Sequence, residues 1–315
     1  MSKTLTHEYL GISVSERSRK PRSRGITMVI DSGESWQFEQ GILDAWAEYI
    51  DVVKLTIRHL LQPVDVLKKK IETFRSYNID AQPGGIIIEV ARFQHHGAEF
   101  LGKLKDLGFT QVEISASTTE RRGMDEEVAF TKTAKNLGFK VIGEIGKKVF
   151  EGDSTRVDAV TLNVKECVNQ SKQLLDAGAD RVYFEGHVLR RVLGDSASDI
   201  LKKQSTGTKQ FSEVVNAIGQ DRFVFECSAM VPRKTRRAMH FWYIYQFGPD
   251  VNIGNARIEE ISTLESIRRG MYPVFGFGPA GDHPWITSTA SHDGHASEGW
   301  WREFPLKDEV DPLSG

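Results

Sequence analysis

The stretch VIGEIGKK, residues 141–148, combines one carboxylate and two ammonium groups in a short apolar run. Glu144 lies in a segment typical of a buried strand, and Lys147 and Lys148 follow the turn residue Gly146. A buried carboxylate is costly unless a cation, hydrogen-bond donors or a metal ion compensate it. Taken alone, the stretch is compatible with a structural ion pair or with a site that acts on an anionic substrate.

Other strand-like segments also end in polar residues, and six of eight place an acid there. These residues are Asp31, Lys54, Glu89, Glu113 with Ser115, Glu144, Glu185, Glu226, and Asn252 with Asn255. Carboxylates that converge raise each other's pKa and therefore need cations nearby. Oxygen ligands without a His or Cys cluster favour Mg²⁺ over zinc. For any single acid, an ion pair with a loop arginine is an equal alternative.

Eight β-rich segments recur along the chain, each followed by a helix-like segment. They span residues 25–31, 49–56, 84–90, 110–115, 140–146, 180–186, 221–227 and 250–256. Between them, 63–79 places apolar residues three and four positions apart, which predicts one apolar helix face. The sequences KDLGF, KNLGF and LDAGAD put Gly where a helix ends. This alternation predicts parallel strands joined by helices.

The number of units decides between two α/β folds. Eight units over about 250 residues match a (β/α)8 TIM barrel. A doubly wound open sheet is the alternative, but no G-x-G-x-x-G turn follows the first strand. In a barrel the carboxyl ends of the strands surround one mouth, so the strand-end acids would meet there.

Composition limits the classes of partner and the compartment. With 41 basic and 43 acidic residues the net charge is −2, which gives no overall attraction to nucleic acid or to an anionic membrane. The chain contains two cysteines, no apolar run near the length of a membrane span and no signal-peptide core. We therefore expect a cytoplasmic protein without disulfides. We also expect a homo-oligomer.

Changes in amino-acid composition along the chain predict three parts. Residues 1–24 form a polar, basic N-terminal arm, which we expect to be solvated. Residues 25–272 form the barrel and carry the site. Residues 273–315 form a C-terminal extension with three tryptophans, which we expect to pack partly on the barrel or on a neighbouring subunit.

Several of these segments together resemble the phosphosulfolactate synthase family. In order, from about residue 22 to 272, the matching stretches include RGITMVIDSG, GGIIIEVA, LGFKVIGEIGKK, AGADRVYFEG and FGPDVNIGNARIEEISTLESIRRG. The resemblance implies a (β/α)8 barrel enzyme of the carbon–sulfur lyase type. It also implies Mg²⁺-dependent addition of sulfite to phosphoenolpyruvate, a small enol phosphate, giving (2R)-phospho-3-sulfolactate.

The same resemblance suggests roles for individual residues. Lys147 or Lys148 would be the general acid, with Glu144 beside it, and strand alternation favours Lys148. The metal would be held by Glu113, Glu185 and Glu226. The substrate's carboxylate or phosphate would be held by Lys54, by Arg190, and by Gly254 and Asn255 in a turn before a helix.

Some loops depart from the family's pattern. Ile57 and Arg58 replace small residues, 116–118 lack the family's acid, and 187–190 differ after strand six. Because these loops select substrates, two alternatives stay open. The chain could be a barrel enzyme of the same superfamily with a changed substrate or nucleophile, or a non-catalytic, stress-associated relative.

Overall fold

The computed structural model describes residues 5–12, 14–115, 123–146, 162–194, 196–197, 200, 206–228 and 231–271. Its strands are β1 (Thr27–Asp31), β2 (Val52–Leu55), β3 (Asp80–Pro83), β4 (Gln111–Ile114), β5 (Lys140–Ile145), β6 (Arg181–Phe184), β7 (Phe223–Glu226) and β8 (Ile253–Arg257). Its α-helices are α1 (Thr6–Tyr9), α2 (Trp36–Trp46), α3 (Val64–Ser76), α4 (Gly85–Phe93), α5 (Gly97–Leu107), α6 (Met124–Asn136), α7 (Val164–Asp176), α8 (Gly186–Leu193), α9 (Thr206–Ile218), α10 (Arg233–Phe247) and α11 (Ile261–Arg268). None of these helices is long and apolar enough to cross a membrane.

The strands form one parallel sheet that curls into a nearly closed barrel. The strand order is β3-β2-β1-β8-β7-β6-β5-β4, so β3 and β4 lie at its two ends. These ends meet, because the Thr110 amide just before β4 donates to the Ala81 carbonyl of β3 at 3.0 Å. The predicted (β/α)8 TIM barrel is confirmed.

The third strand was misplaced by the sequence pattern. Seven of the eight predicted segments overlap a strand, but 84–90 belongs to α4, and β3 is the preceding DAQP segment. Ile87, Ile88 and Ala91 are buried, which is the spacing of a helix face packed on the barrel. Short apolar runs fit a buried helix as well as a strand. Glu89 therefore lies on a helix and not at a strand end.

Two predictions about helices agree with the structure. Helix α3 occupies most of the predicted 63–79 segment. Helix α5 ends at Gly108, whose φ of 99° is the left-handed conformation expected from the KDLGF sequence.

Two apolar cores lie on opposite sides of the strands. A small cluster fills the barrel interior and comprises Ile26, Met28, Val52, Ile142, Tyr183 and Val224. A larger cluster lies between the strands and the helices. Since side chains alternate along a strand, residues two positions after Met28, Ile142 and Val224 also face the interior. This alternation decides which strand-end acids can meet.

The basic N-terminal segment packs across the amino-terminal end of the barrel. The Arg17 side chain donates to Glu265 Oε2 at 2.7 Å and to Thr27 Oγ1 at 3.1 Å. Arg22 donates to Asp51 Oδ1 at 2.9 Å. The expectation of a solvated arm is wrong for these residues, because their charges are paired with acids of the barrel. The limits of the three predicted parts stay predictions, and 273–315 lies outside the described residues.

We expect Arg17→Met to lower the free energy of unfolding by about 2 kcal/mol, because Glu265 would lose one of its two arginine partners and keep Arg269. Arg19→Met is the matched control: its side chain is 85% exposed and an exposed ion pair contributes about 0–1 kcal/mol. Urea unfolding measures both variants. Equal midpoints would show that the segment does not stabilise the barrel.

Candidate active site

Three buried carboxylates converge inside the barrel. Glu113 on β4, Glu144 on β5 and Glu226 on β7 each place an oxygen within 4.8 Å of the others. Glu144 and Glu226 come two residues after Ile142 and Val224, so alternation directs them to the interior. The structure thus brings together three of the acids identified at the strand ends. We call them the three-acid group.

Lys54 on β2 is the cation within this group. Its Nζ lies 2.7 Å from Glu113 Oε2 and 2.8 Å from Glu226 Oε1. Burial disfavours the ammonium form, but the two carboxylates outweigh it and raise the pKa of Lys54 well above its ordinary value. The raised pKa favours the positively charged form of the Lys54 side chain at neutral pH, next to the three acids.

Neutral polar side chains surround Glu113 in the barrel interior. Gln82 Nε2 donates to Glu113 Oε2 at 3.1 Å and also contacts the Tyr183 hydroxyl at 3.1 Å. Gln111 donates to the Gln82 side-chain oxygen. Burial raises the pKa of Tyr183 well above its ordinary value, so the phenol stays neutral. Sequence reasoning missed these residues: the alternation of β4 could have identified Gln111, but Gln82 lies on the misplaced third strand.

The three-acid group has the chemistry of a hard-cation site. All its donors are carboxylate oxygens, which are the ligands preferred by Mg²⁺ and similar ions. The group places three carboxyl groups and one ammonium together, and a divalent cation would fit this set of oxygen donors. A buried acidic cluster that could bind a metal is therefore present.

Glu185 has a different position from the one expected of a metal ligand. It precedes α8, and its Oε2 accepts hydrogen bonds from the amides of His187 at 2.9 Å and Val188 at 3.0 Å. This carboxylate caps the helix and lies outside the three-acid group. Its role as a ligand stays a prediction.

Gly254 and Asn255 lie within β8, so their assignment to a turn is wrong. A Cβ on Gly254 would lie 3.0 Å from Met28 Cε and 3.1 Å from Val224 Cγ1. Gly254 is therefore closely packed in the barrel interior, and a side chain there would require its neighbours to shift. Whether either residue binds phosphate stays a prediction.

The remaining candidates are placed only in part. Arg190 lies on α8, partly buried, on the side of the barrel where β6 ends. Lys147 and Lys148 lie outside the described residues, one and two positions after Gly146. Their catalytic roles stay predictions.

A second buried group surrounds Asp31, outside the barrel wall. Because Met28 faces inward, Asp31 faces the helices and not the mouth, contrary to expectation. Its Oδ2 lies 2.6 Å from Lys70 Nζ and 3.0 Å from His59 Nε2. Glu39 on α2 lies 3.3 Å from the same ammonium. We call Asp31, Glu39, His59 and Lys70 the outer network.

The two acids of the outer network differ in protonation. Burial raises the pKa of Glu39 to about 9, and its hydrogen bond with Asp31 acts in the same direction. Burial opposes the charged form of Asp31 too, but hydrogen bonds from His59 and Glu39 lower its pKa below the ordinary value. A pKa of about 9 favours the protonated form of Glu39 at neutral pH. The outer network is a buried structural cluster around Asp31.

Comparisons with known proteins agree on one family. Residues 15–273 match the model of the (2R)-phospho-3-sulfolactate synthase family (ComA). The chain is 31% identical to the phosphosulfolactate synthase of Methanothermobacter thermautotrophicus, covering 81% of this chain and 92% of that one. It is 30% identical to the Methanocaldococcus jannaschii enzyme of that name (79% and 92% covered) and 27% identical to the Bacillus subtilis one (81% and 93%). The matched region contains all eight strands and the three-acid group.

We expect Mg²⁺ to bind the wild-type protein at one site and Glu144→Gln to weaken it at least about tenfold, because one charged ligand is lost. Isothermal titration calorimetry measures this affinity. Glu34→Gln is the matched control, since Glu34 belongs to the acids beside Asp31, where Lys70 already supplies a cation. A larger loss in the control would assign the metal to the outer acids.

Glu39→Gln is expected to change how stability depends on pH. From 4.5, the ordinary pKa of Glu, to about 9, folded wild-type protein keeps a proton that the unfolded chain releases. Its stability therefore falls with rising pH relative to the variant, by up to about 1.4 kcal/mol per pH unit. Urea unfolding at several pH values in this window measures the difference. Parallel profiles would contradict a protonated Glu39.

Proposed function

The chain belongs to the phosphosulfolactate synthase family of carbon–sulfur lyase-type enzymes, and we propose that it catalyses Mg²⁺-dependent addition of sulfite to phosphoenolpyruvate. The observation that carries this proposal is the buried three-acid group with Lys54 inside the barrel. The product is (2R)-phospho-3-sulfolactate.

The reaction places negative charge on the substrate's carboxylate. The sulfur of sulfite forms a bond to the methylene carbon, and the electron pair of the double bond moves toward the carboxylate. The intermediate is an enediolate dianion, and the phosphate-bearing carbon then takes up a proton. An active site that lowers this barrier must supply positive charge where the dianion develops.

The barrel interior supports this requirement. Glu113, Glu144 and Glu226 would hold Mg²⁺, which when bound supplies Lewis-acid stabilisation of the enediolate. Lys54, which stays protonated, adds a fixed charge on the same side and is proposed to orient the substrate's carboxylate. Burial of the site strengthens these electrostatic interactions because little water screens them.

We assign the proton transfer to a lysine after β5. Strand β5 ends at Ile145, directly after Glu144, so the chain leaves the strand beside the three-acid group. The φ of 92° at Gly146 interrupts the strand geometry. Alternation therefore does not choose between Lys147 and Lys148, and both are proposed as candidates for the general acid.

The proposed substrate is a small anion, and the protein is proposed to act on it without nucleic acid or membrane. Its cytoplasmic location and homo-oligomeric state stay predictions. Fractionation of the source cells and light scattering would test them.

Incubation of the protein with phosphoenolpyruvate, sulfite and Mg²⁺ is expected to give phosphosulfolactate, which ³¹P NMR detects. One of Lys147→Ala and Lys148→Ala should lower the rate about a hundredfold or more, the effect typical of a lost general acid. Chelation by EDTA should stop turnover. Folded protein that forms no product would refute the reaction, and a product from another enol phosphate or nucleophile would favour a changed substrate.

A further inference from the structure

Arg257, the last residue of β8, faces the barrel interior. It is in register with Ile30 of β1, and Ile30 is in register with Lys54 of β2. Register partners in a parallel sheet point to the same face. Lys54 reaches the three-acid group, so Arg257 belongs to the same inward row. The sequence pattern missed this residue because the predicted eighth segment ends at 256.

A β-bulge gives Arg257 this direction. Between β1 and β8 the register advances by two residues on β1 and by three on β8. Asn255 lies in the part of β8 that contains the extra residue, and its φ of 54° is in the left-handed region. A bulge of this kind re-aims the side chains that follow it. Gly254 and Arg257, three positions apart, can therefore both face inward.

Arg257 and Arg58 meet at one residue of the loop after β1. Arg257 Nη1 donates to Ser32 Oγ at 2.9 Å, and Arg58 Nη1 donates to the Ser32 carbonyl at 3.2 Å. Among the residues that the structure describes, neither guanidinium forms an ion pair with a carboxylate. Arg257 Nε is buried without a hydrogen-bond partner in this part of the chain. Buried Arg17, by contrast, is bound to Glu265.

The outer network also binds the loop after β1, which contains Ser32, the residue that both arginines contact. Asp31 Oδ1 accepts hydrogen bonds from the amides of Gly33 at 2.7 Å and Glu34 at 3.1 Å. Asp31 is itself fixed by buried Lys70. The loop that carries Ser32 is therefore held by hydrogen bonds to Asp31, and Ser32 is the contact that the two guanidinium groups share.

We propose that Arg257 and Arg58 form a binding site for the phosphoryl group of the substrate. Two guanidinium charges match a phosphate dianion, and their fork geometry suits its oxygens. The proposed function places the substrate's carboxylate at Lys54 and the metal in the interior, so its phosphoryl group would face the rim. This assignment deepens the proposed function and rests on it for the identity of the phosphorylated substrate.

Calorimetry of the full chain with Mg²⁺ and no sulfite tests the site, with phosphoenolpyruvate and inorganic phosphate as probes. Arg257→Met and Arg58→Met are each expected to weaken both probes at least about tenfold, the effect of a lost charge-assisted hydrogen bond. Arg257→Lys should restore only part of the affinity, because an ammonium lacks the fork. Arg19→Met, at the opposite end of the barrel, should change nothing, and Mg²⁺ affinity should be unchanged throughout.

The possible results separate this assignment from the proposed reaction. Wild-type protein that binds phosphoenolpyruvate through these arginines but forms no product with sulfite would overturn the reaction alone. Turnover with an unchanged KM in both Met variants would overturn the arginine site alone. The site is also overturned if wild-type protein binds neither probe, or if only phosphoenolpyruvate is weakened, since that result places the arginines at the carboxylate. If Arg257→Met does not fold, the exposed Arg58→Met decides.

Discussion

A buried ammonium group held between two carboxylates is the interaction on which the barrel interior depends. Lys54 lies 2.7 Å from Glu113 and 2.8 Å from Glu226, with Glu144 close by. Each of these charges would be costly to bury alone, so each requires the others. An apolar interior of the same size would serve stability at least as well, because buried ion pairs rarely improve on apolar packing. The charged interior is therefore best understood through the chemistry it supports.

Strand alternation sorts chemically similar residues into two different environments. Glu113, Glu144 and Glu226 face the interior and form the three-acid group. Asp31 also ends a strand, but its side chain faces the helices and is bound by Lys70. The difference of one residue in register separates an acid that is available to a cation from one that is neutralised by the protein. Both kinds are needed, since the first creates the site and the second fixes the loop beside it.

Much of this arrangement follows from sequence, and the errors have physical causes. Periodicity and strand ends are local, so they predicted the eight units and the convergence of acids from different strands. The run IIIE fits a strand and a buried helix equally well, and the segment Asp80–Pro83 has no β-branched residue to mark it as β3. The packed position of Arg17 depends on Glu265, 248 residues away, and no local pattern records such a pairing.

The β-bulge in β8 could not be predicted from the sequence pattern. Regular alternation from the inward-facing Gly254 would place the Arg257 side chain on the outer face of the barrel. A single left-handed residue, Asn255, reverses that assignment. As a result, two groups of residues lie at the mouth of the barrel. In the proposed assignment, the acids on β4, β5 and β7 would hold the metal, and Arg58 and Arg257, which both contact Ser32, would hold the phosphoryl group. Arg58 belongs to the segment after β2, whereas the three acids lie on β4, β5 and β7, so a substitution of Arg58 would alter the proposed phosphoryl site and leave the acids in place.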